Sequence, residues 1–470
     1  MIGRLARMAQ IGLCLTLGGA PALAQTPLGA DEVLVSVEQS LPLLERARRD
    51  VDLARGEAVE ARGAFDLKVK AEGLAVRGFY DNDRVKSVLE QPLAPLGLNV
   101  FGGYRAGRGV FGPYDGKAAT LSDGKWTAGA ELPLLRDRAI DTRRAGRQVA
   151  DLGVEVATRG LDKARLTFFK DALAAYWNWV AAGRQLAVAR DLLRLAEARD
   201  QQLADAVALG QTAPVERIDN QRAILQRRSA LATAERLLQL SAIDLSLYYR
   251  AADGSPVRAP ADRLPSLPPP PAGSEPDESE EIQSALARRP ELQALRLKRE
   301  QQQAELRLAE NSVLPTLNLF SEVSSDSGTG APNRAGSSFE AGVVFELPVQ
   351  RRKATGKSLQ AQAKLSGLDQ DLRWAEDQVR ADVQDAISAL RAARAVLDVV
   401  TEELRVAREL EGLERDRFQL GDSTQFLVNL RELTTADAAL REVKALADYQ
   451  KALVSVESAT GQLVDRVPQP

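Results

Sequence analysis

The chain of 470 residues contains no histidine and only one cysteine. Cys14 lies in an N-terminal segment that reads as a secretory signal: Arg4 and Arg7, then an apolar run through Ile11, Leu13, Leu15 and Leu17, then "ALAQ" with Ala22 and Ala24 in an A-x-A cleavage pattern. Cleavage after Ala24 would leave a chain with neither residue, and so with no disulfide, no common zinc site, no histidine-based triad and no imidazole base. Leu13 stands where a lipoprotein signal needs a small residue, so no lipid anchor is expected. No metal or other cofactor is expected, nor is enzyme activity, since only scattered carboxylates remain. Past residue 25 there is no run of the roughly 18 apolar residues that a transmembrane helix needs. A formal charge of −3, or −5 without Arg4 and Arg7, gives no reason to expect a nucleic-acid partner.

What is present is a repeat. "AELPLLRDR" (Ala130 to Arg138) returns 215 residues later as "FELPVQRRK" (Phe345 to Lys353), each time before a long charged segment. Upstream of the first copy, residues 31–64 carry Leu34, Val37, Leu41, Leu44 and Ala47 at helical spacing. "FDLKVKAEG" then alternates, with Phe65, Leu67, Val69 and Ala71 on one side and Asp66, Lys68, Lys70 and Glu72 on the other, the pattern of a strand between apolar and aqueous sides. A second alternating run has Trp126, Ala128, Ala130 and Leu132 on one face and ends at Pro133, which cannot donate to a ladder.

A charged helix over residues 136–208, broken only by glycines, leads to a turn at "ALGQTAP" and a further helix to about Tyr249. The segment from Ala251 to Pro276 holds eight of the 22 prolines and reads as an extended linker. The elements then recur: a helix over 280–313 with a kink at Pro290, strands in "LPTLNLFSEV" and "SSFEAGVVFELP", a long helix over 350–420, a turn at Gly421 and a last helix to about Thr460.

The expected organisation is therefore a signal peptide (1–24), a first repeat (25–250), a Pro-rich linker (251–279), a second repeat (280–462) and a tail (463–470). The first repeat has strands near 65–80 and 124–134 around an insertion, 81–123. The second has strands near 314–325 and 337–348. Each long helix would run for roughly 105 Å, antiparallel to two shorter helices stacked end to end, making a rod. Four strands with one apolar face leave open edges and cannot close a barrel alone. Eleven of the 22 aromatics fall in residues 65–134 and 314–348, as in the aromatic girdles of membrane barrels. A small soluble β-domain packed on its own helices is the plainer alternative, but it explains neither the open edges nor the aromatics. "GGYRAGRG" and "TGKS" fail as phosphate loops: no helix opens after the first, and Arg351 stands where the second needs its first glycine.

"RRPELQALRLK", the two "ELP" phrases and the turns "ALGQTAPVERIDNQ" and "RFQLGDSTQFLVNLRE", in this order around a duplication, resemble the TolC-type outer-membrane efflux proteins. The resemblance implies a mainly α fold with a transmembrane β portion. In it a homotrimer pools four strands per chain into a shared 12-stranded β-barrel above a trimeric α-helical tunnel. It implies a passive exit duct in the outer membrane of a Gram-negative bacterium, reaching into the periplasm and serving an inner-membrane pump through a periplasmic adaptor in tripartite efflux or type I secretion. A periplasmic adaptor with long helical hairpins is the alternative, though adaptors carry one hairpin flanked by soluble β-domains.

On this resemblance Pro133 and Pro348 mark strand-to-helix junctions, and Trp126, Phe339, Val343 and Phe345 face outer-membrane lipid. Gly210, Pro214, Gly421 and Ser423 form turn tips where an adaptor docks. Glu216, Asp219, Phe418, Asp422 and Leu427 are candidates for the periplasmic constriction. The second repeat has Leu427 and Leu430 where the family's acidic ring is expected.

Overall fold

The computed structural model describes residues 26–269 and 276–467; the expected signal peptide, part of the proline-rich segment and the end of the expected tail lie outside them. In chain order, α1 (Ala30–Ser40) and α2 (Pro42–Arg62) lead into β1 (Lys68–Val76), β2 (Asn82–Pro92), β3 (Asn99–Gly109) and β4 (Gly124–Pro133). Then come α3 (Thr142–Ala208), α4 (Pro214–Leu245), α5 (Glu278–Arg288), α6 (Pro290–Asn311), β5 (Thr316–Ser327), β6 (Gly336–Glu346), α7 (Arg352–Gln419) and α8 (Gln425–Thr460).

Helices predominate and the duplication is visible in them. α3 and α7, with 67 and 68 residues, are each about 100 Å long, and each packs against two shorter helices, α2 and α4 or α6 and α8. The chain thus forms four helical columns. A break opens the second of the paired short helices in both repeats. Pro290 at the first position of α6 was expected to kink its helix. Pro42 does the same at the start of α2, so the continuous helix expected over 31–64 is instead two. In both places proline supplies a suitable φ where its missing N–H costs nothing.

The core sits where the columns meet. Phe169, Leu173, Trp179 and Val180 of α3 are fully buried against Val33, Leu34 and Val37 of α1, and the Tyr176 hydroxyl donates to the Leu28 carbonyl at 2.8 Å. The described part of the proline-rich segment joins this core and does not run free: Ala259 is buried, and Leu264 sits against Gly183. A Cβ at Gly183 would meet Leu264 Cδ1 at 2.4 Å, which explains a glycine inside a long helix.

The sheet differs from expectation. It has six strands in the order β1-β2-β3-β4-β5-β6, all antiparallel. The expected four strands were counted correctly at its two sides, but the insertion 81–123 also enters the sheet, as β2 and β3. Their turn, residues 93–98, comes back to the helical end, where Leu93 N–H donates to the Leu98 carbonyl at 2.7 Å. Three copies would therefore pool eighteen strands, not twelve. The insertion hides its strands because four glycines and two charges dilute the apolar alternation of "NVFGGYRAGRG".

Candidate functional site

The sheet has two unlike faces, fixed by its register. Trp126 pairs across strands with Tyr104, Ala128 with Val323, Val323 with Phe339, Leu319 with Val343 and Leu317 with Phe345. Directly paired residues point to the same side, so these form one continuous apolar surface, which extends onto β2 and β1 through Val85, Leu89 and Val69. Trp126, Phe339, Val343 and Phe345 are 58–69% exposed on it. The opposite face carries Lys70, Lys86, Arg105, Lys125, Glu131 and Glu322 and lines a hollow of about 550 Å³. β1 and β6 are edges without a partner strand among the described residues.

The two strand-to-helix junctions are not equivalent. Pro133 is the last residue of β4, but α3 starts only at Thr142, after an eight-residue connection. Arg144 organises that connection: its guanidinium donates to the carbonyls of Asp137, Arg138 and Ala139 and to the Asp141 carboxylate. Asp141 in turn caps α3 by accepting from Arg144 N–H at 2.8 Å. Buried Asn311 bonds both the backbone and the side chain of Asp137, whose φ is +67°. At the second junction Pro348 lies between β6 and α7, the turn is made by Arg351 at φ +46°, and the connection is shorter. Sequence reasoning missed Arg144 and Asn311. The insertion of "RAID" between the phrase and its helix was the available signal.

At the far end, both helix turns have the same hydrogen bonding. Gly210 N–H donates to Val207 and Gln211 N–H to Ala206; Gly421 N–H donates to Phe418 and Asp422 N–H to Arg417. This is the Schellman pattern, and Gly210 and Gly421, at φ +70° and +84°, take the left-handed position that it requires. Pro214 starts α4 and Thr424 caps α8. Ser423 donates to Glu414 at 2.5 Å, and this bond, with the nearby Arg417 and Arg431, holds the Glu414 carboxyl below the usual range.

The candidate constriction residues separate into kinds. Glu216 is half-buried in the first turn of α4 with no ion pair among the described residues, whereas Asp219 is bound by Arg222 of its own helix at 2.9 Å. Asp422 is exposed, and Phe418 is partly so. Leu427 is half-buried, and the exposed apolar stripe of α8 is instead Phe426, Leu430 and Leu433, which line a groove with Asp219 and Arg222. The turn glycine fixes an offset along the chain but not which side of the helix that offset faces.

A buried ionic cluster, also missed, ties the two repeats together just above these turns. Glu432 of α8, 1% exposed at its side chain, is bonded by Arg199 of α3, Arg227 of α4 at 3.1 Å and Arg415 of α7 at 3.2 Å. Burial pushes the Glu432 carboxyl up, but hydrogen bonds and charge from Arg199 and Arg227 outweigh it, and the group is held below the usual carboxylate range. Burial in turn pulls the Arg227 guanidinium down.

The same arrangement of columns and sheet occurs in solved outer-membrane channels. The Campylobacter jejuni CmeC outer membrane channel is 12% identical with a TM-score of 0.62, over 98% of this chain and 94% of that one. The Neisseria gonorrhoeae MtrE outer membrane channel, in its open state, is 16% identical with a TM-score of 0.62, over 92% and 88%. The outer membrane protein VceC of the bacterial pathogen Vibrio cholerae is 15% identical with a TM-score of 0.61, over 92% and 96%. The chain thus has the fold of an outer-membrane channel protein. By sequence, residues 282–462 match the model of the outer membrane efflux protein family. No curated protein matches the chain by sequence.

Proposed function

We propose that this protein is the outer-membrane exit duct of a tripartite efflux or type I secretion system. It passively conducts solutes delivered by an inner-membrane pump through a periplasmic adaptor. The observation that carries this reading is the sheet: one mainly apolar face, one charged face and two open edges, set at one end of helices about 100 Å long. An apolar outer face and a polar interior are what a barrel in lipid requires, and open edges call for further copies of the chain. Trp126, Phe339, Val343 and Phe345 then meet outer-membrane lipid, and three copies close barrel and tunnel together. The turns at Gly210, Pro214, Gly421 and Ser423 point into the periplasm as adaptor contacts, flanked by exposed Leu209, Val215, Leu420 and Phe426. Glu216 is the preferred acidic element of the constriction, with Asp422 beside it and Phe418, Phe426 and Leu430 as its apolar part.

The adaptor alternative is disfavoured because two hairpins share a single sheet here and no flanking β-domain is found among the described residues. The family consists of channel proteins, and the role proposed is transport without catalysis. Reconstitution in planar bilayers tests the reading. Stepwise ion conductance from purified full-length protein is expected, together with its recovery from the outer-membrane fraction. A protein that fractionates as soluble periplasmic material and never conducts would refute it.

A further inference from the structure

The charged face of the sheet contains an arrangement that the fold does not need. Lys86 of β2 pairs across strands with Arg105 of β3, and Arg105 pairs with Lys125 of β4. Three cations on three adjacent strands therefore stand side by side, on one face. Direct cross-strand neighbours have Cα atoms about 5 Å apart, and like charges placed so destabilise a sheet. Two other cations of this face are neutralised within the chain: Lys70 bonds Glu90 at 2.8 Å, and Arg84 bonds Asp115 at 2.6 Å. Lys86, Arg105 and Lys125 have no ion pair or side-chain hydrogen bond among the described residues. Arg105 Nε is moreover shut off from solvent with no acceptor.

The carboxylates nearby do not fill this gap. Asp326, paired with Lys125, accepts from the Leu121 N–H at 3.0 Å. Glu131 accepts from Asn318 at 2.8 Å. Glu72 stands at the end of the row beside Lys86, and Glu322 lies four residues down the neighbouring strand from the partner of Lys125, with no salt bridge to any of the three.

We propose that Lys86, Arg105 and Lys125 form an anion-binding row on the inner wall of the barrel, for solutes with a phosphate, sulfonate or carboxylate group. This rests on the exit-duct reading, which makes the charged face the lumen and repeats the row in every copy. A guanidinium flanked by two ammonium groups offers a multi-oxygen anion several charge-assisted hydrogen bonds at once, and the anion supplies the countercharge that the row lacks. Rings of Arg and Lys select anions in other pores by the same physics. The row lies in the outer half of the sheet, one residue inside the end of β4 and four inside the ends of β2 and β3.

The test uses the full-length protein in planar bilayers with tripolyphosphate as probe, added from the side of the 110–123 loop. Wild-type channels are expected to be blocked. Lys86→Gln/Arg105→Gln/Lys125→Gln should weaken the block at least about tenfold, the loss of one hydrogen bond to a charged group or more, while Lys86→Arg keeps it. The triple variant removes repulsion and should retain its β-sheet circular dichroism. An equal block in wild type and triple variant, or conducting wild-type channels that tripolyphosphate does not block, overturns the row. Absence of any conductance overturns instead the exit-duct reading. The row is then judged by calorimetric titration of the detergent-solubilised protein with tripolyphosphate: binding lost in the triple variant supports it, and no binding, or binding that is unchanged, overturns it.

Discussion

At the scale of single residues, the acids of this chain divide by their partners. Glu432 is buried among arginines from three helices, and removing one partner from such a cluster leaves charges buried without compensation. Glu432→Gln should therefore destabilise the helical part by about 3 kcal/mol at neutral pH, read as a lower midpoint in thermal or denaturant melts. The pH dependence has a definite sign. A carboxyl whose folded pKa is depressed contributes stability above its unfolded value, here near 4.5, and that contribution is lost as the pH falls through the lower folded value. The difference between wild type and Glu432→Gln should hence persist at pH 5 and shrink below about pH 4. A constant difference down to pH 3 would mean that the carboxylate's charge is not what matters. Glu216 and Asp219 differ from it and from each other. Asp219 is already bound by Arg222, so Asp219→Asn alone should leave single-channel conductance and ion selectivity nearly unchanged. Glu216→Gln, with or without it, should raise conductance or weaken cation preference. Wild-type values in the double variant would leave an apolar constriction of Phe426 and Leu430. The Glu432 cluster was not legible in the sequence. Arg227 and Glu432 lie 205 residues apart, and arginines on long helices ordinarily signify only a solvated face.

At the scale of elements, the apolar face of the sheet makes a graded prediction. β6 runs from Gly336 to Glu346, so Val343 lies nearer its middle than Phe345 does, and both are on the apolar face. A charge facing lipid costs roughly 2–4 kcal/mol at the bilayer midplane and little near the interface. Val343→Arg should thus reduce the amount of folded, heat-resistant protein in the outer membrane more than Phe345→Arg does. Equal, undiminished amounts of both would show that this face meets water. This face was largely legible beforehand, because Trp126, Phe339, Val343 and Phe345 alternate with polar residues over whole strands. The ends of the long helices were legible for a similar reason: α3 and α7 stop within a residue of expectation because Gly210 and Gly421 punctuate them, whereas α3 starts six residues later than expected, after the connection held by Arg144. What escaped were elements without a local signature. The strands β2 and β3 are held by register with β1 and β4 more than by their own patterns. Pro42 was hidden in an apolar period that continues through it. The clasp of Arg144 and Asn311 joins segments 167 residues apart, which no local pattern can announce.

At the scale of the whole molecule, the added hairpin has a geometric consequence. Six strands spaced about 4.8 Å and tilted about 40° span an arc of about 38 Å, while four helical columns spaced about 10 Å span about 40 Å. With four strands the sheet would cover only about 25 Å of that arc. The hairpin thus lets a strand layer of ordinary tilt continue directly into the helical layer below it. The match holds for any number of copies, so the strand total alone no longer excludes a pair of chains, which would give twelve. Lumen size favours three: eighteen strands fall in the regime that leaves an open aqueous channel, as a duct for bulky solutes requires. Closure would join β6 of one copy to β1 of the next. β6 brings Glu340 and Glu346 to the charged face, and β1 brings Lys68 and Lys70, so the seam is complementary in charge. The detergent-extracted protein should accordingly have three times the mass of the processed chain, and Lys68→Glu/Lys70→Glu should shift it towards monomer. Restoring charge complementarity with Glu340→Lys/Glu346→Lys should recover the assembly, at least in part. A particle of two chains would replace the eighteen-stranded barrel with one of twelve, and a stable β-containing monomer would refute the shared barrel altogether.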